Sequence, residues 1–383
     1  MPAPVHESRD LLRDSLRRFL AAQAPIATCV RPLFDDPRGT TPALWRGLAD
    51  LGALGVLLPA EMGGAALDAA HAGVACEEMG RALFPGPFLA SAVAASALLG
   101  ALPRHDETQR LGEALARGER IATLASDGLA AGYLSAAASV RARRGSEGGI
   151  TLTGRRSLVA FAETADVMLV PATDENAGGA ARLNVYAVER RAAGLDVEPE
   201  EYLDPARRPA TVSFANTPAL PLATDMTAEG VLAATSRAVD LAAGAAVADG
   251  VGAAQRAFEL ALDWARVRHQ FGRPIGSFQA VQHLLVDVLT EISLLRAAAE
   301  EALAACDGDD ATARAHAVGV AAAAAARSLP EVGATIIQIF GGIGYTWEHD
   351  AHLFYRRLLG VSVNAGTEGE NLDRIAALLL DQA

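Results

Sequence analysis

The sequence predicts an α+β protein, mostly α, in which a helical N-terminal region, a middle antiparallel β-domain and a C-terminal helical bundle follow one another. Three observations carry that expectation. Short apolar runs, several of them alternating, are confined to the stretch between about residue 120 and Pro221. Longer segments with apolar residues at helical spacing lie on either side, and 230 to 268 holds no proline at all. Aromatic residues make up only 5% of the chain while alanine fills runs such as AAVAASALLG and AAAAAARSLP, which favours closely packed helices over a wholly β architecture. The expected domains are 1–119, 120–225 and 226–383.

Taken in order, Leu12, Leu16, Phe19 and Leu20 recur at helical spacing with Arg and Asp between them, so a helix is expected over 7–22. Further helices are expected over 42–53, 67–82, 87–101 and 106–117, separated by the breakers PAEMGGA and FPGPF. The runs IATLAS, AASVRAR, ITLTGRRSLV, DVMLVPA, LNVYAV and ATVSF then read as strands, punctuated by EGG, NAGG and DPARRP. After Thr227, helices are expected over 230–268, 277–304, 310–327, 330–340 and 369–381, packing as an up-and-down bundle.

Composition narrows the function. A chain of 383 residues, 51% hydrophobic, buries a sizeable core. The formal charge of −13, with no Lys/Arg-rich block, argues against nucleic acid as a partner. Cys29, Cys76 and Cys306 are scattered, so neither a disulfide framework nor a metal site is expected, and free thiols fit a reducing cytosol. The start MPAPVHESRD lacks a signal-like apolar core, and the longest apolar run, near 317–326, falls short of the roughly 18 residues of a membrane span. A soluble, cytoplasmic protein is expected.

Two segments carry chemistry. RVRHQFGRPIGSFQAVQHLLVDV, 266–288, reads as a helix end with Arg268, a turn forced by Gly272, Pro274 and Gly276, and a new helix capped by Ser277. A guanidinium beside free backbone N–H groups suits an anion such as a dinucleotide pyrophosphate, although a plain helix hairpin has the same pattern. QIFGGIGYTWEHDAHLFYRRLLG, 338–360, places Gly341, Gly342 and Gly344 after Gln338, allowing close approach to the backbone. It lacks a complete G-x-G-x-x-G, so a helix stop reads equally well.

In this order and at this distance, these segments resemble the acyl-CoA dehydrogenase family, as do LWRGLADLGALGVLLPAEMGG, EEMGRAL and LDPARRPATVSF. The resemblance covers nearly the whole chain. It implies an N-terminal helical domain, a middle β-domain and a C-terminal four-helix bundle, with FAD bound across a subunit interface. It implies α,β-desaturation of an acyl-CoA thioester: a carboxylate takes the α-proton, hydrogen bonds to the thioester carbonyl stabilise the enolate, and the β-hydrogen leaves as hydride to the flavin. By the same likeness Arg268, Gln270, Phe271, Phe278, Gln279, Gln338, Gly341, Gly342 and Thr367 are expected to contact FAD.

The chain departs from the family where its base should be. Members commonly carry Glu-Gly-Thr here, and this chain has Ala365, Gly366 and Thr367; the other seat, on the first bundle helix, falls on Ala242. A methyl group accepts no proton. Asp240 is about 200° around the helix from Ala242, whereas Asp249 shares nearly its face about 10 Å further along. Asp249 is therefore the candidate base, against the more ordinary role of a surface or interface carboxylate paired with arginine. The family's Gly-x-Lys-x-Trp-Ile-Thr flavin-ring segment is likewise altered: Arg156 stands for Lys, Leu158 for Trp and Ala160 for Thr, and LASDGLAAGYLS replaces the strand before it.

Kept donor contacts with lost ring contacts and base resemble one subunit of an α2β2 acyl-CoA dehydrogenase, completing the FAD site of a homologous partner. Two-subunit enzymes of that kind occur in bacterial steroid side-chain breakdown. The alternatives are a self-sufficient, homo-oligomeric enzyme using Asp249 or another acid, and a non-catalytic scaffold without flavin. His349 and His352 in WEHDAH are expected on a solvated or salt-bridged face, and Arg356 and Arg357 as exposed arginines that in a minority reading steer CoA phosphates. His71, Ser126 and His283 read as structural.

Overall fold

A computed structural model describes residues 5–126, 139–145, 148–175 and 182–380. Most of LASDGLAAGYLS, from residue 127 on, lies outside the described residues. The chain divides into two compact units. One comprises Met1–Arg31, Gly73–Phe84 and Ala243–Ala383, the other Pro32–Ala72 and Pro85–Ala242.

The N-terminal third supplies α1 (Val5–Gln23), α2 (Pro42–Asp50), α3 (Ala69–Arg81), α4 (Ser96–Ala101, continuing a π-helical stretch Leu89–Ala95) and α5 (Asp106–Ala116). Thr41 starts α2 by accepting the Leu44 N–H at 3.1 Å, with Pro42 at the first helical position. The strands β1 (Ala122–Leu124), β2 (Val140–Arg144), β3 (Ile150–Ala160), β4 (Val167–Asp174), β5 (Arg182–Glu189), β6 (Leu195–Pro199) and β7 (Pro209–Pro221) form one sheet.

Its pairings close on themselves, running β2–β3–β7–β5–β4 and back to β2, with β6 added along β7. Two of them depart from the antiparallel expectation, since β4 runs parallel to both β1 and β2. Side-chain alternation is the same for either pairing sense, so the sequence pattern does not register the difference. β4 is buried on both faces, and its run VMLV feeds two cores. Met168 and Val170 pack with Leu152, Tyr186, Val212 and Phe214. Val167 and Leu169 pack with Leu98, Leu99, Leu111 and Leu115, and with Val231, Val239 and Ala242 from the start of the next helix.

That helix, α6 (Ala228–Val267), spans 40 residues. After it come the two-residue strands β8 (His269–Gln270) and β9 (Arg273–Pro274), then α7 (Gln279–Asp307), α8 (Ala311–Phe340), α9 (Ala351–Asn364) and α10 (Glu368–Leu380). α8 packs against α7, α9 and α10. Close crossing of α3 and α6 depends on glycine: a Cβ on Gly80 would meet the Asp249 carbonyl oxygen at 1.8 Å, and one on Gly252 the Glu77 carbonyl oxygen at 1.9 Å. α6 and the stretch Ala311–Tyr345 have the length and apolarity of bilayer-crossing helices, with 78% and 50% of their apolar windows buried inside the protein.

Three local expectations change. The break expected at Pro330 is absent, and α8 continues through it. The lost hydrogen bond of an internal proline is offset by burial of Leu329 and Val332 and by close packing of Gly333 on the Tyr355 ring. α9 adds a span to those expected, built on Leu353, Phe354, Leu358 and Val361, which recur at helical spacing and are all buried. Ser277 does not cap α7; it lies in the 3-10 turn Ile275–Ser277 and its hydroxyl donates to the Pro274 carbonyl at 2.7 Å.

Candidate functional site

The first chemistry-bearing segment forms where α6 stops. The Arg268 N–H closes the last turn on the Trp264 carbonyl at 2.9 Å, and the chain then doubles back through the β8–β9 hairpin. Both central residues of that hairpin have positive φ, 52° at Phe271 and 81° at Gly272, the backbone of a tight two-residue turn. The turn carries Phe271 outward to 92% exposure. Its ring meets Phe278 edge-on at 6.1 Å, while the Arg273 guanidinium lies 4.0 Å from the Phe278 ring centre. Arg268, Gln270 and Gln279 are exposed and Phe278 is half-buried.

The second segment begins where α8 stops. Gly341 has φ 68°, and neither it nor Gly342 has any atom within 4 Å of where a Cβ would stand, so the backbone is open to a ligand. Gln338 is exposed one turn earlier. Aromatic packing brings the two segments together: Trp264 lies 5.9 Å from Phe340 and 6.5 Å from His349, and the Arg268 guanidinium lies 5.7 Å from the Trp264 ring centre. An unspent guanidinium, three exposed carboxamides and an open glycine turn form a donor set that fits the pyrophosphate and polar edges of a dinucleotide.

The base positions are apolar. Ala365 ends α9 at 2% exposure, with its carbonyl accepting the Asn371 side-chain amide at 3.1 Å. Ala242 is fully buried in the apolar cluster around Val239. Asp240 is also buried. Asp249 is buried beneath the surface on which a paired carboxylate was expected. Its two oxygens accept from Arg357 Nη1 at 3.1 and 3.2 Å, and Arg357 Nη2 donates to the Phe84 carbonyl at 3.2 Å. Arg357 is only 1% exposed, which corrects its reading as a surface arginine able to steer CoA phosphates. An isolated carboxylate buried this deeply would be too costly, and the guanidinium supplies its counter-charge.

In the β-unit, the altered ring segment lies on β3. Arg156 is buried, donating to the Pro171 carbonyl at 2.8 Å and to the Ser139 hydroxyl. Leu158 lies in a bulge with φ 55°, and its N–H is held by Glu200 at 3.2 Å. Ala160 has no donor side chain. The residues at these three positions do not fit a flavin ring that needs an aromatic wall and a hydroxyl.

Other expectations shift as well. Thr367 caps α10: its hydroxyl and N–H donate to Glu370 at 2.8 and 2.9 Å, and the Glu370 N–H returns to the Thr367 hydroxyl at 3.3 Å. The sequence TEGE carries that T-x-x-E signature, so the helix start was legible. His352 is not on a solvated face. It is 5% exposed and edge-on to Trp347 at 4.7 Å, with Nε2 lacking a partner among the described residues. Burial, with Arg356 and Arg31 adding to it, holds its imidazole down at about 4. Trp264, which joins the two segments, was missed; its signal was the i, i+4 spacing to Arg268.

Known proteins resemble the chain over nearly its whole length. The acyl-CoA dehydrogenase N-terminal domain model matches residues 6–119 and the C-terminal domain model residues 228–380. Acyl-CoA dehydrogenase IpdE2 of Mycobacterium tuberculosis is 32% identical over 356 residues, 92% of each chain. Among solved structures, the Tcur3481-Tcur3483 steroid ACAD matches with TM-score 0.85 and 26% identity over 99% of both chains. A chain of the ChsE4-ChsE5 complex from Mycobacterium tuberculosis matches with TM-score 0.84 and 25% identity, over 100% of this chain and 99% of that one. The chain thus belongs to the acyl-CoA dehydrogenase family, the FAD-dependent oxidoreductases that act on CH–CH bonds of acyl-CoA thioesters.

Proposed function

We propose that this chain is the subunit of a heteromeric acyl-CoA dehydrogenase that lacks the base and completes the FAD site of a homologous partner, with a steroid-derived acyl-CoA as substrate. The observation that carries the reading is the division of labour among its own residues. Every contact expected for a neighbour's cofactor along 268–279 and 338–342 is at least partly exposed, while both base positions hold a buried methyl group. Bound FAD would accept the substrate β-hydrogen as hydride. This chain's part is to hold the dinucleotide: Arg268 offsets pyrophosphate charge, the Gly341–Gly342 backbone admits its oxygens, and the exposed glutamines bond its polar edges. The carboxylate that takes the α-proton comes from the partner.

α7 offers a place for that partner. Leu285, Val288, Ile292 and Leu295 turn inward, yet Val286, Leu289 and Leu294 on other faces remain 59%, 42% and 61% exposed. Only four residues, including the 3-10 turn Ile275–Ser277, separate the hairpin from the helix, so these exposed apolar residues adjoin the donated contacts in sequence. The steroid assignment draws on the steroid ACAD and the heteromeric one on the ChsE4-ChsE5 complex, both similar to this chain over its whole length.

The test is spectroscopic. The purified chain alone is expected to be colourless, and co-expression with a homologous Glu-bearing subunit is expected to give a yellow complex bleached by a steroid acyl-CoA. Arg268→Ala should lower FAD affinity of that complex about tenfold, the scale of a charge-assisted hydrogen bond to phosphate. A chain that alone is yellow and bleached by acyl-CoA would establish a self-sufficient enzyme instead, and a complex without flavin would leave a scaffold.

A further inference from the structure

We infer that Trp264 is the positioning residue of the donated flavin contact, fixing the Arg268 guanidinium relative to the Gly341–Gly342 turn. The inference rests on the half-site reading above and names the residue through which two remote segments act as one site. Trp264 lies in the last turn of α6, four residues before Arg268, whose N–H closes that turn on the Trp264 carbonyl; the guanidinium carbon lies over the indole, 5.7 Å from the ring centre. The indole also packs on Phe340 at 5.9 Å with planes tilted by 39°, and Phe340 directly precedes Gly341. His349 completes the stack, 4.3 Å from Phe340 and 6.5 Å from Trp264.

Among the described residues, the Arg268 guanidinium makes no hydrogen bond and no ion pair within the chain. The indole is therefore the contact that orients it. A flat aromatic face holds a guanidinium by its plane and leaves the N–H groups at its edge available, which a carboxylate partner would not do. The stack itself is anchored. The His349 carbonyl accepts from Arg31 Nη2 at 3.2 Å, and His349 Nδ1 accepts the Ala351 N–H at 3.1 Å. Burial lowers the His349 pKa, which favours the neutral imidazole in contact with Phe340. Substitution of Trp264 by a residue of similar apolarity without a π-face should free the guanidinium while leaving the fold in place.

The experiment measures FAD affinity, by recovery of flavin fluorescence on dilution, in the complex of this chain with its flavin-binding partner. Trp264→Leu is expected to weaken FAD about fivefold and Trp264→Phe less than about twofold, with the thermal midpoint of the flavin-free complex alike in both. Because Trp264 acts through Arg268, Trp264→Leu should add little to Arg268→Ala, a non-additivity that a purely structural role would not produce. Equal FAD affinity in the Leu and Phe variants, or full additivity with Arg268→Ala, overturns the inference. If Arg268→Ala itself leaves FAD affinity unchanged, the half-site reading fails and this inference with it. If Arg268→Ala weakens FAD and Trp264→Leu does not, the inference alone falls.

Discussion

In the unit that carries the bundle, Arg268 stands at the surface with its guanidinium donors unspent, beside exposed carboxamides and an open glycine turn. In the unit that carries the closed sheet, Arg156 is buried and gives its donors to Pro171 and Ser139. Both arginines occupy segments where the family resemblance implies flavin contacts. The difference is where their hydrogen bonds go, because a buried donor bonded to its own fold is unavailable to a ligand without a large desolvation penalty. Which polar groups the fold has already used therefore separates arginines that remain available to a ligand from those that do not.

The bundle unit contains a sharper version of the same contrast, since Arg357 is tied to its own fold and Arg268 is open to a ligand. Arg357→Met should remove the guanidinium that pairs with Asp249 and leave a buried carboxylate without that counter-charge. The expected loss is about 3–5 kcal/mol of stability by urea melting. Arg268→Ala should change stability by no more than about 0.5 kcal/mol, the range of an ordinary surface substitution. Replacing both partners, Asp249→Leu with Arg357→Met, should recover most of the loss, because the cost lies in the uncompensated charge and not in the missing bridge. If Arg357→Met is instead harmless, Asp249 does not depend on that guanidinium, and its candidacy as a base reopens.

The sequence made the helix, sheet, helix order legible because burial imposes a period of 3.6 on α1 and α6 and of two on the strands, whichever residues do the packing. The open turns at the two candidate segments were legible for a related reason: Gly272, Gly341 and Gly342 have positive φ or open space, which glycine in the sequence marks directly. Long-range pairing left no such trace. Pairing of Asp249 with an arginine was the ordinary expectation. Nothing local in DGVGAAQ, however, says that the partner is Arg357, more than a hundred residues later, or that the pair is buried, and YRR reads as surface although Arg357 turns inward. His352 was misplaced because WEHDAH reads as polar: Trp347 and Arg356 lie within five residues of it, but its burial and the approach of Arg31 are tertiary effects.

That enclosure of His352 gives the next effect in size. Its folded pKa of about 4 lies below the ordinary histidine value of about 6.5, so protonation favours the unfolded chain. Stability from this group is fully present above about pH 6.5, declines as pH falls towards 4, and is constant below; the span is at most about 3 kcal/mol. Arg356 and Arg31 disfavour the charged form, His349 adds to them, and Asp350 opposes them. His352→Phe preserves the edge-on contact with Trp347 and should flatten the stability profile between pH 6.5 and 4. A profile as steep as that of the parent protein would mean the imidazole accepts its proton in the folded state. The unit with the closed sheet treats its buried His71 differently, setting an Asp68 carboxylate oxygen 2.5 Å from Nδ1.

The smallest effect concerns the glycine and threonine that outlast the missing carboxylate. Thr367 exchanges hydrogen bonds with Glu370 in both directions and so satisfies donors at the start of α10 that would otherwise face solvent unpaired. Thr367→Ala should cost about 1 kcal/mol in the stability of this chain, and Thr367→Ser should cost a few tenths, since the hydroxyl is retained. The comparison with FAD affinity then separates two roles for one residue. A capping threonine lowers the thermal midpoint in the Ala variant and leaves the flavin affinity of the complex unchanged. A threonine that touches the cofactor lowers that affinity in both the Ala and the Ser variant, by amounts unrelated to their midpoints. Because its hydroxyl already donates to Glu370, only its acceptor side remains for a ligand, so the first pattern is the expected one.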